Sequence, residues 1–146
     1  MFSLGLDIGS SSVKVALTET HTGKKIAFVQ EPKDEMEILS VHSSWAEQDP
    51  NHWWKIVCIA IKKLLQKSGV DASQVQRIGI AYQMHGLVVV DESGDCLRNS
   101  IIWCDSRAVS IGEKAYQDLG AKKCMNHLLN SPANFTASKL KWVKEN

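Results

Sequence analysis

The sequence predicts an α/β protein whose mixed sheet opens with an antiparallel three-strand meander and is flanked by helices. Three short aliphatic runs, Leu4 to Ile8, Val13 to Thr18 and Lys25 to Gln30, are separated only by Gly9-Ser10-Ser11-Ser12 and His21-Thr22-Gly23-Lys24, which is turn chemistry. Parallel strands need a crossover of about a dozen residues, so links this short make the three strands antiparallel. A helical pattern and a further aliphatic run, Val75 to Tyr82, follow in the same chain.

The elements follow in order. After a polar stretch, Pro32 to Glu47, Asp49-Pro50 offers an N-cap and a proline at the first helical position, where its missing N–H costs nothing. Trp54, Val57, Ile61, Leu64 and Leu65 recur at helical spacing, and Ser68-Gly69 supplies the stop. Trp53-Trp54 reads as core. Val75 to Tyr82 reads as a buried strand, and Leu87 to Val90 with Leu97 to Trp103 as a hairpin around Asp91-Glu92-Ser93-Gly94-Asp95. Ala108, Val109, Gly112, Ala115, Tyr116 and Leu119 make the stripe of a helix ending at Gly120, and a short helix is expected near Lys122 to Leu129. Thr136 reads as the cap of a last helix through Leu140 and Val143, which the final residue, Asn146, leaves without a capping glycine.

Composition narrows the function classes. Of 146 residues, 44% are hydrophobic and 23% charged, which is a globular balance. Seventeen Lys and Arg against sixteen Asp and Glu leave a charge of +1, so no global field recruits nucleic acid or an anionic membrane. The longest purely apolar run, Ile56 to Ile61, is far short of the ~20 residues of a membrane-spanning helix. The start lacks a basic region followed by a long apolar run, so a cytoplasmic location with reduced thiols is expected. Cys58, Cys96, Cys104 and Cys124 form no C-x-x-C pair and have no histidine at ligand spacing, which argues against zinc. Asn134-Phe135-Thr136 fits the glycosylation pattern but has no use in that compartment.

Three segments carry candidate chemistry. Asp7 lies in an apolar strand just before Gly9 and Ser10, Ser11 and Ser12. Such an aspartate can hold hydrated magnesium while Gly9 admits a phosphate to the backbone and the serines bond to it. A hairpin with an Asx-type turn accounts for the same residues. No Walker A or G-x-G-x-x-G loop is present. Gln83-Met84-His85-Gly86 falls at the end of a strand, where open sheets bind ligands. Gln83 and His85 each donate and accept hydrogen bonds, which suits vicinal hydroxyls, although a polar turn with Met84 in the core also fits. Trp103-Cys104-Asp105-Ser106-Arg107 puts an indole, a carboxylate and a guanidinium at one strand-to-helix junction. These are the tools that bind sugars, and equally Asp105 or Ser106 can cap the next helix and pair with Arg107.

Taken together, GLDIGSSSVKVAL, SSWAEQDPNHWW, QMHGLVVVDESGDCLRNSIIWCDSRA and, more weakly, SPANFTASKLKWVKEN resemble the N-terminal domain of the FGGY carbohydrate kinases, with the D-xylulose kinases the nearest pattern. The resemblance implies an RNase H-like core of the actin-like ATPase class, with ATP and Mg2+ as cofactors and a ketopentose as substrate. It places Asp7 near magnesium and the transferred phosphate, through water, and makes Gly9 to Ser12 the phosphate-facing turn. Met84 and His85 match substrate-binding positions, and Asp105 and Arg107 match a W-x-D-x-R segment beside the sugar cleft. Glycerol kinases carry Arg-Glu where this chain has Met84-His85, which argues against glycerol. Tyr82 stands where the family usually has glycine. The family's catalytic base, an aspartate in a later glycine-rich segment, and its adenosine-binding domain are not in these 146 residues.

The expectation is therefore residues 1–146 as the sugar-side domain of an ATP-dependent kinase, cut at its C-terminal end, inactive alone, and phosphorylating D-xylulose to D-xylulose 5-phosphate when complete. Alternatives are a kinase for ribulose, fuculose, rhamnulose or gluconate, or a truncated protein that binds sugar or a partner without turnover. Surface left by a missing domain would favour a homo-oligomer. A nuclease of the RNase H-like class needs more converging carboxylates and a basic face, which the net charge does not supply.

Overall fold

The computed structural model describes residues 1–146, which form two compact bodies. The first comprises Met1–Glu37 and Pro50–Gln83, the second Ile38–Asp49 and Met84–Asn146.

In the first body, β1 (Phe2–Ile8), β2 (Val13–Glu19) and β3 (Lys25–Glu31) form the expected antiparallel meander. Strand β5 (Val75–Tyr82) joins β1 in parallel, giving the order β3-β2-β1-β5. Helix α1 (Pro50–Ser68) supplies the long crossover that a parallel neighbour requires, followed by a 3-10 turn at Ala72–Gln74. The core lies between one sheet face and α1: Leu4, Leu6, Val13, Val15, Leu17 and Ala27 meet Ile56, Val57, Ala60 and Leu64.

Two expectations are corrected here. Trp53 packs at the edge of this core, but Trp54 is 68% exposed, because the buried face of α1 runs through Ile56, Val57, Ala60 and Leu64 rather than through Trp54 and Leu65. The strand Val75 to Tyr82 exists but is not buried: Ile78 and Ile80 are 62% and 60% exposed. They pair with Leu4 and Leu6 and so share their face, yet α1 packs over β2 and β3 and leaves this edge strand uncovered.

In the second body, β4 (Glu47–Gln48) and β6 (Ser100–Ile101) make a two-stranded antiparallel pair. The expected hairpin shrinks to isolated bridges, Leu87 with Ile101 and Val90 with Cys96, closed by a turn in which the Asp91 carboxylate accepts from the N–H groups of Ser93 and Asp95. Helices α2 (Val109–Leu119), α3 (Ala121–His127) and α4 (Thr136–Glu145) complete the body, with a 3-10 turn at Pro132–Asn134. Thr136 is not the cap of α4. Phe135 holds that position, and the Thr136 hydroxyl donates instead to the carbonyl of Gly86. No helix is long and apolar enough to cross a membrane.

Candidate functional site

The first body presents the C-terminal end of β1. Strand alternation turns Leu4 and Leu6 inward and Gly5 and Asp7 outward, so the Asp7 carboxylate is 54% exposed. It lies 3.5 Å from the ammonium of its cross-strand partner Lys14. Both line a shallow depression of about 370 Å3 whose other walls include Gly5, Ala16 and Phe28. The turn from Gly9 to Ser12 is tight, with the Gly9 N–H donating to the Ser12 carbonyl at 3.1 Å. A side chain at Gly9 would start 3.2 Å from that same oxygen, a tight contact to which the turn would have to yield by a few tenths of an ångström. Met36 N–H donates to the Ser11 carbonyl, and Ser12 is buried. The turn is thereby fixed from behind, with Asp7 standing exposed two residues ahead of it.

Gln83 follows β5, and its N–H donates to the carbonyl of Ile8 at the end of β1. Its side-chain amide is closed off from solvent, and neither Nε2 nor Oε1 has a partner. A buried amide left this way costs a full desolvation penalty.

The second body holds the remaining candidates. Met84 is 66% exposed, outside any core. His85 adopts φ +62°, a left-handed conformation that a non-glycine residue enters only when its surroundings impose it. Those surroundings are visible: its ring stacks on Phe135, with centroids 4.6 Å apart and planes 12° from parallel, and its carbonyl accepts from Lys139 Nζ at 2.9 Å. Trp103 is half-exposed, and its carbonyl accepts from the Asn134 side-chain amide.

Asp105 and Arg107 take a different place from the one expected of sugar-contacting residues. Both side chains are completely buried. The Asp105 carboxylate accepts from the N–H of Ala46 at 2.5 Å and of Arg107 at 2.9 Å, and from the Arg107 guanidinium at 2.7–3.0 Å. Arg107 also pairs with Glu47 at 2.7 Å and lies over Trp45, 3.9 Å from the ring centroid, with Trp142 beyond at 5.1 Å. Burial alone would lower the Arg107 pKa, but Asp105 and Glu47 outweigh it and hold the guanidinium above its ordinary value. The pair is a buried brace behind the Trp103 segment.

Sequence reasoning missed Glu47, Trp45, Trp142 and Lys139. The first three lie far from Arg107 in the chain, and nothing in their spacing marks them. Lys139 sits on α4 with no exposed surface, donating to the carbonyls of His85 and Ile102, both at 2.9 Å. Burial pushes its pKa down to about 8, against the pull of Asp105. Its spacing on α4, four residues after Phe135 and three and four before Trp142 and Val143, was the available signal.

No three His, Cys, Asp or Glu side chains converge on a possible metal position. The donor set at the β1 end, one exposed carboxylate beside a backbone turn, nevertheless suits Mg2+, which keeps its waters and binds through one or two carboxylates plus substrate phosphates.

Solved structures of sugar kinases share this architecture. One described as a xyloylose kinase from Brucella ovis superposes with a TM-score of 0.86 at 31% identity, covering 100% of this chain and 30% of that one. The gluconate kinase of Lactobacillus acidophilus follows at a TM-score of 0.80 and 28% identity, covering 98% of this chain and 28% of that one. The fold is thus the RNase H-like, actin-like ATPase fold of sugar kinases, with a mixed sheet and flanking helices. The chain belongs to the FGGY family of carbohydrate kinases, whose N-terminal domain matches residues 2–146. Among curated relatives, the xylulose kinase of Staphylococcus epidermidis is 34% identical over 143 residues, 97% of this chain and 27% of that protein. The chain spans less than a third of the length of the relatives it matches.

Proposed function

We propose that this chain is the sugar-side part of an ATP-dependent kinase that phosphorylates D-xylulose to D-xylulose 5-phosphate. The observation that carries the reading is the Met84 to Gly86 segment of the second body. Met84 offers an exposed apolar surface, and His85 an imidazole fixed by stacking in a left-handed turn. Hydrogen-bonding groups beside an apolar contact suit a polyol. The xylulose kinase relatives favour D-xylulose over the ribulose, fuculose, rhamnulose or gluconate alternatives.

Asp7 would orient Mg2+ through water, and Gly9, Ser10, Ser11 and Ser12 would face the transferred phosphate of ATP. When bound, the metal neutralises charge on the phosphates. Trp103 supplies an indole face to the sugar, while Asp105 and Arg107, closed off in their ion pair, hold that segment in place. In-line transfer also requires a base for the sugar hydroxyl and a site for adenosine. Neither is assigned to any residue here, so this chain alone is expected to bind sugar without turnover.

ADP release from ATP and Mg2+, measured with this chain at high concentration across a panel of ketoses, gluconate and glycerol, tests the reading. No sugar-dependent release is expected. Sugar-dependent turnover would mean that these residues contain a base and an adenosine site after all.

A further inference from the structure

We propose that Lys139 is a positioning residue for sugar recognition: its buried ammonium ties the carbonyl of His85 to the carbonyl of Ile102 and so fixes the Met84-His85 turn relative to Trp103. The inference rests on the reading of these segments as the sugar side of a kinase.

The two carbonyls belong to segments far apart in sequence, 54 and 37 positions from Lys139, and each lies beside a residue proposed to meet the sugar. His85 directly follows Met84, and Ile102 directly precedes Trp103. Both bonds are 2.9 Å, and the side chain has no exposed surface. No carboxylate touches the ammonium, so the charge is spent on two backbone carbonyls, an expensive arrangement unless both acceptors are held well. The His85 end of the tie is also the strained end, since φ of +62° is imposed on a residue with a β-carbon. Phe135, four residues before Lys139, fixes the ring of the same residue. One element, α4 with its preceding residue, therefore sets both the backbone and the imidazole of His85. Thr136 adds a third tie, to Gly86.

The test compares wild type with Lys139→Met, which keeps the length and loses every donor, and with Lys139→Gln, which keeps an N–H2 group. Amide hydrogen exchange is followed across the chain. In Lys139→Met, exchange should quicken by about tenfold or more at His85 to Leu87 and at Trp103 to Asp105, with α1 and β1 to β3 unchanged and Lys139→Gln intermediate. Unchanged exchange in both segments, or a uniform rise through the second body, would overturn the proposal. If Lys139→Met does not fold, Lys139→Gln carries the same comparison.

Titration with D-xylulose adds the functional arm. Lys139→Met should weaken affinity about tenfold, and in combination with His85→Ala the losses should be less than additive, since part of the Lys139 effect passes through the imidazole. Fully additive losses would show that Lys139 does not act through His85. Absence of any D-xylulose binding by wild type would instead count against the sugar reading, and the exchange result would still decide the tie.

Discussion

Gly112 occupies a point on α2 where no side chain fits. A β-carbon there would run into the backbone of Pro132 and Ala133, which cannot move aside as a flexible side chain can. Gly112→Ala is expected to lower stability by about 1–3 kcal/mol despite alanine's better helix propensity, read as a fall in the urea midpoint. The residue scale also fixes a pH dependence. Lys139 has its pKa near 8 when folded against 10.5 ordinarily, so between those values the unfolded chain binds more protons and this group's contribution raises stability as pH rises. Wild type should gain stability relative to Lys139→Met between pH 7 and pH 9.5, and a pH-independent difference in urea midpoints would contradict this. At this scale the sequence was legible where neighbours decide the matter. Gly9 to Ser12 is the turn expected, and Asp105 does pair with Arg107. It was illegible where distant residues decide it. The tie from Lys139 joins segments no spacing rule connects.

Element by element, existence was easier to read than orientation. The meander, α1, β5 and the last helix all lie close to where turn residues and periodicity put them. The face of α1 was misjudged by about one residue because Trp53 and Trp54 are adjacent and equally apolar, and only the sheet chooses between them. Leu64→Ala is expected to cost about 2–5 kcal/mol, since Leu64 is wholly buried against the sheet, whereas Trp54→Ala should stay within about 0.5 kcal/mol. Chemical denaturation of the two variants checks both. The hairpin from Leu87 to Trp103 kept its turn but lost most of its ladder, because Asp91 organises the loop locally while only isolated pairs carry the strands. For Val75 to Tyr82 the composition of a buried strand was real, and what differed was the cover: β5 has no helix over Ile78 and Ile80.

At the scale of the whole molecule, the family was legible from motifs in order, and the comparisons place nearly every residue within it. The uncovered apolar side chains Ile78, Ile80 and Tyr82 are expected to make the chain self-associate. Sedimentation velocity should show a concentration-dependent species that Ile80→Glu shifts toward monomer, and a strictly monomeric wild type would contradict it. The division of labour assigned to the candidate residues predicts two separable losses. His85→Ala should weaken sugar binding about tenfold or more, whereas Asp7→Asn should leave it within about twofold, because the role proposed for Asp7 is toward the metal and phosphate. Calorimetric titration of D-xylulose into wild type, His85→Ala and Asp7→Asn is therefore the most direct test that this chain carries the sugar side of a kinase site. Saturable binding, lost in His85→Ala and kept in Asp7→Asn, is the predicted result; no binding, or equal binding by His85→Ala and wild type, would contradict it.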